Sequence, residues 1–295
     1  MEGPPMVELS SPPLKAIPVL KLGLIAGSGD FPIMVAKAAK DQGVRQVVAV
    51  GFKSQTDPQL ARFVDQFHYI GVGQLGKLID IFKKSQVEHA VMAGKLQHKL
   101  IFKDLRFDMK MLGLMARLKD RRADNILGAI AQEMEKEGIK LIDSTAYLAG
   151  NLAPEGHLSG PRPTKAQWAD VEFGRKIAWE LARLDIGQTV AVKDKAVVAL
   201  EGFEGTDAMI LRAGKHGGKG IVVVKVNKPL QDMRFDVPVI GKATLQAMVV
   251  AKASVLAVAA NKTLILDREQ FCSEARRLGI SVVGVVPDVP AGDAG

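Results

Sequence analysis

The chain has 295 residues, 40 Lys and Arg against 32 Asp and Glu, a single Cys and 47% apolar residues. This length and balance favour two globular domains or one large one, and they exclude wholesale disorder. With Cys272 alone, an intramolecular disulfide and a Cys-rich zinc site are excluded, and a reduced, cytoplasmic protein is expected.

The formal charge of +8 is scattered, without a run of five basic residues, and only 5% of residues are aromatic. A basic nucleic-acid-binding tail and a base-stacking platform are therefore excluded. The surplus suits an anionic small molecule, an anionic membrane face or plain solvation. No stretch reaches the roughly 18 apolar residues of a spanning helix. The nearest, residues 247–260, is interrupted by Lys252. Residues 1–20 are proline-rich, carry Glu2 and lack a basic start, so they read as a leader without a chemical role rather than a secretory signal.

From Lys21 the pattern alternates. KLGLIAG is a short apolar run ending in Gly27-Ser28-Gly29, which predicts a buried strand and a tight turn. FPIMVAKAAKDQG has helical spacing, RQVVAVGF and FHYIGVG read as strands, QLGKLIDIFKKSQ as helix, and EHAVMAGKL as another strand, ending at Gly94. Residues 106–138 read as mainly helical, and KLIDS returns to the sheet. Such alternation predicts an α/β fold with a Rossmann-like parallel sheet at residues 21–150. Pro154, Pro161 and Pro163, interleaved with three glycines, mark the boundary to a second, mixed α/β domain at 151–290.

In that second half, residues 165–184 form a long helical pattern carrying Trp168 and Trp179. TVAVKD and AVVALEG predict a hairpin, TDAMILRAG a short helix, and GIVVVKV the most β-branched strand. GKATLQAMVVAKA predicts a helix, VLAVAANKTLILD two strands, DREQFCSEARRLG a helix with Cys272 on its apolar face, and ISVVGV a last strand.

Three constellations carry chemistry. Gly27-Ser28-Gly29-Asp30 and Gly94-Lys95 are turns at strand ends whose N–H groups suit an anion, although G-x-G-x-x-G is absent and Pro32 removes a donor. In residues 225–241, KVNKPLQDMRFDVPVIG, an extended 232–236 would place Asp232, Arg234 and Asp236 on one face. At about 3.3 Å per residue, Asp232 and Asp236 would then lie roughly 13 Å apart, too far to grip one ion. Asp207, in EGTDAM, is the best partner for Asp236 in a shared ion site, unless Thr206 or Asp207 merely caps a helix. Histidine metal motifs, a G-x-S-x-G elbow and a P-loop are absent.

LGLIAGSGDFP (22–32), GVGQLGKL (71–78), AGK (93–95), RLDIGQTVAV (183–192), EGTDAM (204–209), KPLQDMRFDVPVIG (228–241) and DRE (267–269) together resemble one family. It is the LpxI-type UDP-2,3-diacylglucosamine pyrophosphatases of lipid A biosynthesis, and the likeness runs from about Lys21 to Val286 in order. The resemblance implies two α/β domains with substrate in the cleft between them. It also implies Mg²⁺-dependent attack of water on the β-phosphorus, yielding UMP and 2,3-diacylglucosamine 1-phosphate.

The family's essential aspartate matches Asp236. Asp232 falls where relatives can carry Glu, and Lys95 where another member has Asn. On this reading Asp236, Asp207, Arg234 and Lys225 are the catalytic candidates, with Asp236 and Asp207 holding Mg²⁺. Substrate contacts are expected from Ser28, Gly29, Gly94, Lys95, Asp185, Gln188, Glu204, Gly205, Thr206 and Lys228. Met109, Met111 and Met115 are candidates to line an acyl groove, or else core. The expected partner is a UDP-linked diacylated glucosamine lipid met by transient contact at the inner-membrane surface, without nucleic acid; a homodimer is left open. The rival readings are a non-catalytic nucleotide-sugar binding module and a Rossmann-type NAD(P) oxidoreductase.

Overall fold

The computed structural model describes residues 19–96, 107–120, 122–229 and 231–286. Its first sheet comprises β1 (Lys21–Ala26), β2 (Gln46–Phe52), β3 (Gln66–Ile70), β4 (His89–Ala93) and β5 (Lys140–Leu141), in the order β3-β2-β1-β4-β5. Every pairing is parallel. Helices α1 (Phe31–Asp41), α2 (Leu75–Lys84), α3 (Met109–Arg117) and α4 (Ala123–Lys136) cover it. Period-two alternation explains the layering. Leu22, Leu24, Val47 and Ala49 pack with Val35, Ala36 and Ala39 of α1, whereas Ile25, Val48 and Val50 pack with Leu78, Phe82, Met111 and Met134. The strand order reverses between β1 and β4, where open α/β sheets bind ligands.

The second sheet has β6 (Gly156–Ser159), β7 (Thr189–Lys193), β8 (Ala196–Leu200), β9 (Val222–Lys225), β11 (Val255–Ala259) and β13 (Ser281–Val285), in the order β6-β13-β11-β9-β7-β8. Strands β9, β11 and β13 are parallel, and β6, β7 and β8 run against their neighbours. β6 lies within the proline-rich stretch expected only to separate domains, because its ladder with β13 satisfies backbone groups that a loop would leave to water. Val222, Val223 and Val224 are wholly buried in β9. Each such burial contributes roughly 1.5–3 kcal/mol.

Helix α5 (Lys165–Arg183) starts with a Thr164/Gln167 capping box. Its Asp170 accepts from the amides of Asp194 and Lys195, both at positive φ, and so closes the β7–β8 hairpin. Helices α6 (Thr206–Gly217), α7 (Lys242–Val250) and α8 (Arg268–Arg277) complete this layer. Cys272 packs at the edge of its core, as its helical position predicted.

The second strand of the VLAVAANKTLILD run does not join the main sheet. It is β12 (Leu264–Ile265), paired in parallel with β10 (Val239–Ile240). Alternation then puts Ile240 and Ile265 into the core of the second sheet, while Val239 and Leu264 join that of the first. This two-stranded element therefore fastens the two sheets together.

Candidate active site

Residues 232–236 are not extended. The amides of Phe235 and Asp236 donate to the carbonyl of Asp232 at 3.2 and 2.9 Å, folding the segment into a turn. Arg234 closes on Asp232 through Nε–Oδ1 (2.9 Å) and Nη2–Oδ2 (2.7 Å), a forked pair that holds the Asp232 carboxyl below its ordinary range. The structure thus corrects one expectation, since the ridge of three side chains is absent, and it shows the Arg234 guanidinium engaged by Asp232.

What the turn does is place Asp236 beside Lys228. Gln231 braces the loop from inside, accepting from the amide of Lys228 (2.6 Å) and donating to the carbonyl of Asp236 (2.6 Å). Ser144, after β5, pins the turn to the first sheet: its amide donates to the Met233 carbonyl at 2.9 Å, and its hydroxyl lies 2.7 Å from the Arg234 carbonyl oxygen. Lys228 Nζ then meets three carboxylates, Asp185 Oδ1 at 2.9 Å, Asp124 Oδ2 at 3.0 Å and Asp236 Oδ2 at 3.3 Å. Although Lys228 is partly desolvated, these carboxylates raise its pKa. Asp236 Oδ2 is buried and its approach to Lys228 is outside hydrogen-bond geometry, so it is an acceptor without a bonded donor. Burial pushes the Asp236 carboxyl above its ordinary range, with the Asp124 charge adding to the effect against the pull of Lys228.

A second cluster lies at the carboxyl end of β9. Lys225, 4% exposed, donates from Nζ to Thr206 Oγ1 at 2.8 Å, and that hydroxyl donates to Glu201 Oε1 at 2.8 Å. Burial pulls the Lys225 pKa down; Glu201, Asp207 and Asp236 oppose this, while the Lys95 charge assists it. Gln188 passes its amide to Glu201 Oε2 (3.2 Å) and accepts the amide of Val226 (2.9 Å). The side-chain oxygens Gln188 Oε1 and Asn227 Oδ1 are, like Asp236 Oδ2, buried without a hydrogen-bond donor.

Helix α6 begins beside this cluster. Gly205 occupies its N-cap at φ +84, so neither Thr206 nor Asp207 caps it. Thr206 serves Lys225 and Glu201 instead, and Asp207 Oδ1 accepts from Thr244 Oγ1 at 2.9 Å. Glu204 is engaged by Arg212.

The glycine turns meet each other. The amides of Ser28 and Lys95 donate to each other's carbonyls at 2.8 and 3.1 Å. A Cβ on Gly94, whose φ is +91, would lie 2.6 Å from the Ser28 carbonyl oxygen. The Ser28 and Lys95 amides are therefore spent on each other, which corrects the expectation that both cradle an anion. The pairing instead fixes Gly29 and the Lys95 side chain at the β1–β4 switch point.

Of the methionines, Met111 is core, Met115 packs against the same cluster, and Met109 is 83% exposed, so the three do not form one lining stripe. A cavity of about 280 Å³ does open beside Asp124, lined by Leu118, Asp120, Asn125, Gly128, Ala129 and Gln132. The sequence reading passed over Asp124 and Glu201. An Asp in the first turn of α4 looks like an ordinary helix start, and a Glu closing β8 looks like a hairpin end. The signal was there for Glu201: it stands five residues before Thr206, across a glycine-bounded turn.

Among the described residues no three His, Cys, Asp or Glu side chains are spaced to hold a metal ion. A Mg²⁺ that arrives with a phosphate substrate needs fewer, since one or two carboxylates, substrate oxygens and water usually complete its octahedron. Hard oxygen donors are present, one of them the buried Asp236 Oδ2, which meets Lys228 at 3.3 Å but has no well-formed hydrogen bond. Carboxylates 124, 185, 201, 207 and 236 also outnumber lysines 95, 225 and 228, an excess of negative charge that a divalent cation would offset. The residues fit such an ion.

Family models for the LpxI N-terminal domain and the LpxI C-terminal domain match residues 21–150 and 154–283. The UDP-2,3-diacylglucosamine pyrophosphatase LpxI of Caulobacter vibrioides (strain ATCC 19089 / CIP 103742 / CB 15) is 31% identical over 278 residues, 90% of this chain and 98% of that protein. The chain belongs to the LpxI family. Among solved structures, the biotin carboxylase domain of Hydrogenobacter thermophilus 2-oxoglutarate carboxylase covers 67% of this LpxI chain at 15% identity and a TM-score of 0.26. The LpxI chain spans 41% of that structure, and no argument rests on the likeness.

Proposed function

We propose that this chain hydrolyses the diphosphate of UDP-2,3-diacylglucosamine, with Mg²⁺ as cofactor, to UMP and 2,3-diacylglucosamine 1-phosphate in lipid A biosynthesis. Membership of the LpxI family along the chain supports the reaction class. The observation that carries the reading is the buried Oδ2 of Asp236, ion-paired with Lys228 at 3.3 Å; the Asp236 charge also acts on the buried Lys225.

The chemistry asks for these groups. A diphosphate diester carries two negative charges that repel a nucleophile, and attack adds charge at phosphorus. Lys225 and Lys228 offset it, and the dry surroundings of the buried Lys225 strengthen its share of the effect. Asp236 orients the attacking water and accepts its proton, a role its raised pKa suits. Asp236 and Asp207 would hold the Mg²⁺, which when bound neutralises the diphosphate and polarises a phosphoryl oxygen. Asp185, Gln188 and Lys95 would contact the substrate, Gln188 offering an unpaired acceptor, while Thr206 would act through Lys225.

The two acyl chains keep such a substrate in a membrane, so a cytoplasmic enzyme would meet it at the inner-membrane surface. The basic balance suits transient contact with an anionic leaflet. Among the described residues no helix is long and apolar enough to cross a membrane.

The test is release of UMP from UDP-2,3-diacylglucosamine by the purified chain with Mg²⁺. Turnover that EDTA abolishes supports the proposal. Tight uridine-nucleotide binding without hydrolysis would instead make the chain a binding module.

A further inference from the structure

We infer that Glu201 is a positioning residue for the reaction: through the hydroxyl of Thr206 it holds the buried Lys225 ammonium in place at the carboxyl end of β9, aimed where the diphosphate reacts. The inference rests on the hydrolase reading above and names a residue outside the segments that carry the resemblance.

The geometry is a relay of two bonds. Lys225 Nζ donates to Thr206 Oγ1 at 2.8 Å, and Thr206 Oγ1 donates its one proton to Glu201 Oε1 at 2.8 Å. A hydroxyl that gives its proton to a carboxylate keeps its lone pairs for a donor, so Glu201 fixes which way Thr206 faces. Glu201 is itself held hard. Its Oε2 takes the amide of Gln188 at 3.2 Å, and its own amide donates to the Thr189 carbonyl at 2.9 Å. Gly187 packs so closely that a Cβ there would lie 2.3 Å from the Glu201 carbonyl oxygen.

Glu201 and Lys225 are 7% and 4% exposed, and charged side chains are rarely buried so fully unless they are paired. Here the pair is made through a threonine, which spaces the two charges, and Asp207 and Asp236 also act on the ammonium. Glu201 faces Gln188, Thr189 and Thr206; the charges felt by Lys225 are Glu201, Lys95, Asp207 and Asp236. Thr206 stands in the first turn of α6 and Lys225 pairs with Thr189 in the sheet, so helix, hairpin and central strand are registered to one another at this point.

A purely structural Glu201 and a positioning Glu201 differ in a double-mutant cycle. Glu201→Gln keeps the shape and removes the charge. It is expected to lower kcat about 10–100-fold with KM changed less than about threefold, because it weakens a contact made to the reacting group. In a Lys225→Met background the same change should cost less than about twofold more, since the group through which Glu201 acts is already gone. Thr206→Val, which cuts the relay in its middle, should match Glu201→Gln and add little to it. Thermal midpoints of all variants are measured alongside, together with calorimetric binding of UMP, which should likewise weaken non-additively. If the losses of Glu201→Gln and Lys225→Met multiply, or if Glu201→Gln turns over like wild type, the inference is overturned while the hydrolase reading stands. If the wild type itself does not release UMP, the hydrolase reading fails and the inference falls with it.

Discussion

Asp124 Oδ2 lies 3.0 Å from Lys228 Nζ, joining the first turn of α4 to the loop after β9 across 104 residues of sequence. The same ammonium contacts Asp185 and Asp236, so one cation holds together three carboxylates that would otherwise repel. Lys228→Met should therefore destabilise the fold by about 1–2 kcal/mol, the pairs being only partly shielded from water. Millimolar Mg²⁺ should restore part of that loss by supplying another cation. Urea midpoints with and without Mg²⁺ test this, and an unchanged midpoint would contradict it.

Arg234 and Lys225 should separate in kinetics. Arg234 is 41% exposed in its side chain and engaged by Asp232, so Arg234→Ala should lower kcat/KM by less than about tenfold. Lys225 is buried and feels the charge of Asp236, and Lys225→Met should lower kcat by about 10²-fold or more, as the loss of one preorganised charge does. Steady-state release of UMP by the two variants decides the ranking.

The buried lysine also sets a pH limit. Its pKa lies below the ordinary lysine range because burial outweighs the pull of Glu201, Asp207 and Asp236, and Lys95 pushes the same way. Activity that needs the ammonium is then lost as pH rises through this depressed value, so the basic limb of kcat falls below the ordinary lysine range. Stability runs the other way. Between the folded and unfolded pKa values the unfolded chain binds more protons at Lys225, so this residue's contribution to stability rises with pH. A basic limb that Lys225→Met leaves unmoved would contradict the assignment.

Much of this was legible in the sequence, for physical reasons. The parallel sheet shows in apolar runs such as KLGLIAG and RQVVAVGF because both its faces are covered, and the helices show in their spacing. The segment 225–241 stood out as the strongest polar constellation of the chain. Its shape did not, because the turn at 232–236 is made by Gln231 and Ser144, and the latter lies about 90 residues away. The pairing of Arg234 with Asp232 was hidden for the same reason: nothing in the local pattern says that a guanidinium will close on a carboxylate two residues back. The strand-end glycines marked the switch point correctly, but that the Ser28 and Lys95 amides satisfy each other is a pairing between β1 and β4 that only the fold creates. Glu201 and Asp124 became visible only when the chain was folded around Lys225 and Lys228.

That pairing between strand ends gives a further prediction. Gly94→Ala would place a Cβ against the Ser28 carbonyl and force an L-residue to φ +91. The strained backbone alone should cost roughly 1–3 kcal/mol, and shifting Lys95 should also lower activity. Urea unfolding and UMP release of the variant measure both.

The most direct measurement is turnover of Asp236→Asn. The neutral isostere preserves the turn held by Gln231, and it relieves a carboxylate that burial disfavours, so its thermal midpoint at neutral pH should be no lower than that of the wild type. UMP release should nevertheless fall by about 10²–10⁴-fold, the scale of a lost general base. A folded Asp236→Asn variant that hydrolyses UDP-2,3-diacylglucosamine at the wild-type rate would contradict the account.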